Sequence, residues 1–122
     1  MILLDTNAII WLHQRHRRTK ALEKNVTLYA SPASLLELQT LVEAGRLRLR
    51  SGYSVEELIG DARWLLDDPP AADWFSQAVG VGWARDPFDR LIVAHAELRG
   101  WRLATGDAEL AAKLGGQRSV EL

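Results

Sequence analysis

Four acids of this 122-residue chain stand where solvation alone does not account for a carboxylate: Asp5, Glu37, Asp89 and Asp107. Asp5 follows the apolar run Ile2, Leu3, Leu4 with no spacer, and Asp107 follows "WRLAT" after one glycine. Glu37 sits between Leu36 and Leu38 in "SLLELQTL", and Asp89 opens the apolar stretch of "DPFDRLIVAHAELRG". Carboxylates packed together repel, and some stay protonated at neutral pH unless a divalent cation joins them. A set of oxygen ligands, in a chain without cysteine and without a well-placed histidine pair, favours a hard ion such as Mg²⁺ or Mn²⁺. An ion of that kind activates water and neutralises charge on a phosphodiester.

Each acid has a plainer reading. Asp5 suits a turn or cap, Asp107 an N-cap after Gly106, and Glu37 a solvated helix face. Asp86, with Pro87 next, suits an N-cap, and Asp89 then gains from the first-turn helix dipole. The four together, in this order, say more than any one alone. Asp86 remains a further candidate, as cap or as an outer acid of the same group.

The elements that must position them are legible from patterning. Residues 2–4 read as a strand buried on both faces, as a parallel sheet requires, and 6–14 as a helix. The basic stretch 15–25 reads as a connection with a short helix, and "VTLYA" (26–30) as a second strand. Ser31 and Pro32 start a helix that Gly45 ends. Residues 46–54 alternate and suggest an edge strand or extended loop. "SVEELIGDARWLL" (54–66), opened by a capping box from Ser54 to Glu57, predicts a helix, and "DDPP" breaks it. Short helix 72–79, helix 86–100, strand 101–105, a final helix from 106 and a short strand in "SVEL" complete the order. Strands alternating with helices predict an α/β sandwich with a mainly parallel central sheet flanked by helices. In that geometry ligands gather beyond the carboxyl ends of the strands, where Asp5 and Asp107 fall.

Composition fits one globular domain over 1–122. Apolar residues make up 48% and charged residues 25%, which excludes disordered and fibrous classes. No apolar run reaches the roughly 18–20 residues needed to cross a bilayer, and no basic region followed by a long apolar stretch opens the chain, so no membrane or secretory role is expected. The lack of cysteine is compatible with a reducing cytoplasm. With the four acids set aside, the formal net charge of −1 becomes +3 for the remainder, the split expected of a basic surface around an acidic centre.

Quoted in order, "LLDTNAIIWL", "LLELQTL", "RDPFDRLIVAHA" and "LATGD" resemble the motifs of PIN-domain ribonucleases, most nearly the small VapC-type toxins of toxin–antitoxin pairs. The resemblance covers nearly the whole chain and implies a PIN-like three-layer sandwich. It assigns Asp5, Glu37, Asp89 and Asp107 as catalytic, metal-holding acids, with Thr6, Asn7 and Thr105 lining or supporting the site. It further implies Mg²⁺- or Mn²⁺-dependent endoribonuclease activity on structured RNA, such as tRNA or rRNA, a homodimer, and a small antitoxin that covers the site. Relatives often carry a larger residue where Gly106 stands, and a glutamine where His95 stands; His95, on an apolar stripe, reads as a core residue.

Arginine outnumbers lysine twelve to three, as phosphate contact favours. Arg15, Arg17, Arg18 and Lys20, Arg85 and Arg90 beside the acidic motif, and the row Arg46, Arg48 and Arg50 are the candidates, against a plain reading as solvated charge. Of five tryptophans, Trp11 and Trp101 read as core; Trp64, Trp74 and Trp83 read as packing or as an interface. A haloacid-dehalogenase-type phosphatase would need an acid where Asn7 stands, and a receiver domain a lysine that Lys20, Lys24 and Lys113 do not supply. A PIN-fold scaffold that binds RNA or protein without cutting is the remaining alternative.

Overall fold

The computed structural model describes residues 1–22 and 26–122, so the end of the basic connection, 23–25, lies outside the described residues. In chain order the elements are β1 (Ile2–Leu4), α1 (Thr6–His13), a 3₁₀ turn (Arg17–Ala21), β2 (Leu28–Ala30), α2 (Pro32–Glu43), α3 (Val55–Ile59), β3 (Leu65–Leu66), α4 (Ala71–Val79), α5 (Pro87–Arg99), β4 (Arg102–Thr105), α6 (Ala108–Leu114) and β5 (Ser119–Glu121).

The five strands form one parallel sheet in the order β3-β2-β1-β4-β5. β1 lies at its centre, where the strand order reverses, and such a switch point leaves a crevice at the carboxyl ends of the strands. Ile2 is level with Leu28 on one side and Arg102 on the other, and Leu4 pairs with Ala104. The unbroken apolar run of β1 is explained by its two covered faces. Leu3 joins Leu103 in a cluster with Trp74 of α4, Ile92 and Val93 of α5, and Leu110 of α6. Ile2 and Leu4 point the other way, into a cluster with Ile9 of α1, Leu38 of α2, Leu58 of α3, and Trp64. Helices therefore cover both faces, giving three layers. Leu3, Leu4 and Leu103 are fully buried, and truncating any of them to alanine costs about 2–5 kcal/mol.

Local chemistry sets the helix starts. Ser31 accepts from the Ala33 amide with Pro32 in the first turn of α2, and Asp86 accepts from the Phe88 and Asp89 amides with Pro87 in the first turn of α5. Gly100, at φ 69°, ends α5 in the left-handed conformation that glycine adopts without strain.

The middle of the chain departs from the sequence reading. The helix expected over 54–66 stops at Ile59, and Leu65–Leu66 are a strand. Gly60 closes α3, and the Asp61 carboxylate accepts from the Arg63 amide and guanidinium at 2.9 Å each. The Trp64 indole N–H donates to the Ile59 carbonyl at 3.0 Å. This compact turn redirects the chain so that Leu65 and Leu66 pair with Tyr29 and Ala30. Residues 46–54 form no strand, and β2 begins at Leu28 rather than 26. Trp64 and Trp74 are buried, which removes them from an interface role, while Trp11 and Trp101 are only half-buried and Trp83 is exposed. His95 lies in the core as read, fully buried, with its Nε2 2.6 Å from Asp67 Oδ2.

Candidate metal centre

Parallel strands deliver the acids to one rim. The Asp5 amide donates to the Ala104 carbonyl at 3.0 Å, extending the β1–β4 ladder by one residue, and its Oδ1 caps α1 by accepting from the Ala8 amide at 2.7 Å. β2 runs through Ser31 into α2, which carries Glu37 about one and a half turns in. Asp107 follows β4 as the N-cap of α6, accepting from the Glu109 and Leu110 amides. Asp86 and Asp89 arrive on the first turn of α5.

Asp5, Glu37, Asp86, Asp89 and Asp107 line one cavity of about 170 Å³, together with Thr6 and Asn7. One carboxylate oxygen each from Glu37, Asp86 and Asp89 lie within 4.8 Å of one another. Asp86 thus stands in the tightest part of the cluster while also capping α5, whereas Asp5 and Asp107 line the wall around it.

Hydroxyls hold this arrangement. The Thr6 hydroxyl donates to Glu37 Oε1 and lies 3.0 Å from the Ser34 hydroxyl. The Thr105 hydroxyl accepts from the Asp107 amide at 3.0 Å and hydrogen-bonds the Asp5 carboxylate. Ser34 is fully buried and was not singled out in the sequence; the signal was its place three residues before Glu37, one turn away on the same helix face.

The electrostatics are those of acids short of counter-charge. Burial pushes Asp5 up to about 6, with Glu37 and Asp107 adding repulsion and Thr105 and the Ala8 amide opposing it. Burial, then repulsion from Asp86, Glu37, Asp5 and Asp107, pushes Asp89 up to about 7. Burial and the Asp86 charge raise Glu37 against the Thr6 hydrogen bond. Among the described residues, no cationic side chain lines the cavity. The donor set, all carboxylate oxygens, fits a hard divalent cation.

Beside the acids, Gly106 explains its own small size. A methyl group there would begin 2.2 Å from Cη2 and 2.3 Å from Cζ3 of Trp11, whose ring also stacks on His16 with centroids 5.1 Å apart. Other residues singled out in the sequence lie elsewhere. Arg90 donates to the carbonyls of Ala78 and Val79 at the end of α4, and Arg50 to the carbonyl of His13. Arg15, Arg17, Arg18 and Lys20 are exposed. Asp67 accepts from Arg99 as well as bonding His95.

The architecture is shared with known structures. A chain of a toxin–antitoxin complex from Klebsiella pneumoniae is similar over 100% of both chains, with a TM-score of 0.71 and 20% identity. A chain of VapBC2 from Rickettsia felis bound to a promoter DNA fragment matches over 92% of each chain, at TM-score 0.63 and 21% identity. A chain of FitAcB from Neisseria gonorrhoeae matches over 88% of each, at TM-score 0.51 and 28% identity. Comparison with curated protein sequences finds no match. The PIN domain family model matches residues 2–114, from the first strand through the last helix. A match of that extent, over a sheet that gathers acids at its central switch point, settles the family: the chain belongs to the PIN domain family.

Proposed function

We propose that this chain is a divalent-cation-dependent endoribonuclease, the toxin of a toxin–antitoxin pair, which hydrolyses structured RNA such as tRNA or rRNA. The observation that carries this reading is the acidic cavity itself, where Glu37, Asp86 and Asp89 offer oxygens within 4.8 Å while Asp89 is pushed up to about 7. Folding that many carboxylates together without a cationic side chain is costly, and a cation relieves the cost.

Asp5, Glu37 and Asp89 would hold Mg²⁺ or Mn²⁺, with Asp107 completing the set and Asp86 beside it. Bound there, such an ion supplies Lewis acidity to a phosphodiester oxygen and lowers the pKa of water. The remaining work belongs to the chain's own residues. Thr6 and Ser34 fix the direction of Glu37, and Thr105 fixes both Asp5 and the turn that presents Asp107. The exposed Arg15, Arg17, Arg18 and Lys20, beyond the end of α1, offer charge to RNA phosphates. The toxin–antitoxin complexes among the structural neighbours support an antitoxin partner. A homodimer belongs to the same reading, as does a cytoplasmic site of action; among the described residues no helix is long and apolar enough to cross a membrane.

The test is cleavage of total bacterial RNA by the wild-type protein and Asp5→Asn, with Mg²⁺, Mn²⁺ or EDTA, and sequencing of the new 5′ ends. Discrete, metal-dependent cuts carrying 5′ phosphates and absent from the variant are expected. Folded, metal-loaded protein that cuts nothing would instead favour a PIN-fold scaffold that binds without cleaving.

A further inference from the structure

The acidic cavity does not end at its carboxylates. Asp86, Asp89, Asp107 and Leu110 also line a second cleft of about 310 Å³, so the two spaces share a wall. Its other side is formed by Trp83, Arg85, Glu109 and Lys113. A volume near 300 Å³ is at the lower end of small-ligand clefts.

Trp83 differs from its neighbours in the chain. Trp64 and Trp74 are 3% and 6% exposed and donate their indole N–H groups to the Ile59 and Leu91 carbonyls, whereas Trp83 is 41% exposed. The loop that carries it is anchored on both sides. Val81 and Ala84 are buried, the Val81 amide donates to the Ala78 carbonyl, and the Ala84 amide donates to the Val81 carbonyl. The indole is therefore held at the cleft by its backbone while most of the loop's apolar burial is done by the residues around it. An exposed, pre-positioned aromatic face beside an acidic cavity is suited to stacking a planar group.

Charge decides which part of a nucleotide fits. Three aspartates and Glu109 line the cleft against two cations, Arg85 and Lys113. Away from a cation at the acidic cavity, a phosphate pressed among those carboxylates would be repelled. A neutral base, whose exocyclic amino group donates hydrogen bonds that carboxylates accept, would not. Arg85 and Lys113 are then available to the backbone that enters and leaves.

We propose that this cleft is a nucleobase subsite, in which Trp83 stacks the base of a single-stranded RNA nucleotide adjacent to the phosphodiester held at the acidic cavity. The assignment rests on the nuclease reading for its direction, but its binding test does not depend on cutting. Trp83 is a specificity-determining residue in this scheme and no part of the metal-holding set.

The test uses the full chain with a fluorescein-labelled single-stranded oligo(A) 12-mer, followed by anisotropy with Ca²⁺ present and Mg²⁺ and Mn²⁺ absent. Trp83→Ala is expected to weaken binding about tenfold, the size of one lost base–aromatic stack, while Trp83→Phe retains most of the affinity. The melting temperature of each variant checks that the exposed position leaves the fold intact. Equal binding by wild type and Trp83→Ala, or no binding by either, overturns the subsite and leaves the exposed ring to a protein partner. The same preparations assayed on total RNA separate the two readings. A protein that cuts RNA while Trp83→Ala binds like wild type loses only the subsite. One that binds through Trp83 and cuts nothing loses only the nuclease assignment.

Discussion

The hydroxyl of Thr6, on the first turn of α1, donates to the carboxylate of Glu37 on α2, across 31 positions of sequence. One hydrogen bond thus couples the residue after Asp5 to an acid on a different helix. Thr6→Val keeps the shape and removes the donor. Groups that orient a metal ligand typically contribute about 10–100-fold to affinity, so Mn²⁺ binding measured by calorimetry should weaken about tenfold or more. Unchanged Mn²⁺ affinity would remove Thr6 from the site's support.

Folded Asp5 and Asp89 hold their protons to about 6 and about 7, against 3.8 for the ordinary side chain. The folded chain therefore binds more protons than the unfolded chain between about pH 4 and 7, and stability from these groups falls as pH rises through that window. Buried His95, whose pKa is lowered mainly by burial, pulls the other way below its ordinary value. The prediction is accordingly a difference. In EDTA, the melting temperature of Asp89→Asn should gain on wild type by several degrees between pH 5 and 7.5, and saturating Mn²⁺ should close the gap by stabilising wild type. A constant difference across that range contradicts a repulsive cavity.

Asp86 has two tasks that one substitution separates. Its Oδ1 accepts from the Phe88 and Asp89 amides, and its charge raises both Glu37 and Asp89. Asp86→Asn keeps a cap acceptor, since asparagine caps about as well as aspartate, and deletes the charge. Without metal the variant should be at least as stable as wild type in urea denaturation. Its Mn²⁺ affinity should nevertheless fall. Loss of stability in EDTA would mean that the Asp86 charge stabilises the start of α5 more than it strains the cavity.

Asp67 joins the end of β3 to α5 by accepting from Arg99 and bonding His95, whose Nδ1 has no partner among the described residues. Burial alone would raise Asp67, yet Arg99 and His95 carry it below its ordinary value. Asp67→Ala strands a fully buried imidazole, which costs about 1–3 kcal/mol, read as a lower urea midpoint at unchanged slope. Mn²⁺ affinity should not move, because neither residue lines the acidic cavity.

What the sequence disclosed and what it withheld divide along the range of the interactions involved. β1, α1, α2 and α5 were legible because Asp5, Ser31–Pro32, Asp86–Pro87 and Gly100 act on amides or dihedrals within a few residues. Asp5 and Asp107 were legible at the rim because they follow β1 and β4, while Glu37 and Asp89 lie within α2 and α5 and reach the same cavity through those helices. β3 was not, since Leu65 and Leu66 continue the helical spacing of the preceding segment and become a strand only against Tyr29 and Ala30. The pairing of Asp67 was not legible either, because its partners lie 28 and 32 positions away. The three middle tryptophans stayed open between packing and interface for the same reason, since nothing local distinguishes the buried Trp64 and Trp74 from the exposed Trp83.

The contact between Trp11 and Gly106 makes side-chain size at two distant positions a joint property. Cη2 of the indole lies 2.2 Å from where a methyl group at 106 would begin, so Gly106→Ala alone is an insertion into occupied space and should cost about 1–3 kcal/mol. Trp11→Leu alone should leave a void and also destabilise. Combined, the two changes should cost less than the sum of their separate effects in a urea-denaturation cycle, and strict additivity would show that the ring moves aside freely. The turn that presents Asp107 is thus under reciprocal epistasis: bulk can be traded between positions 11 and 106 but not accumulated. Within this domain the Asp107 turn and the first helix would have to evolve as a pair.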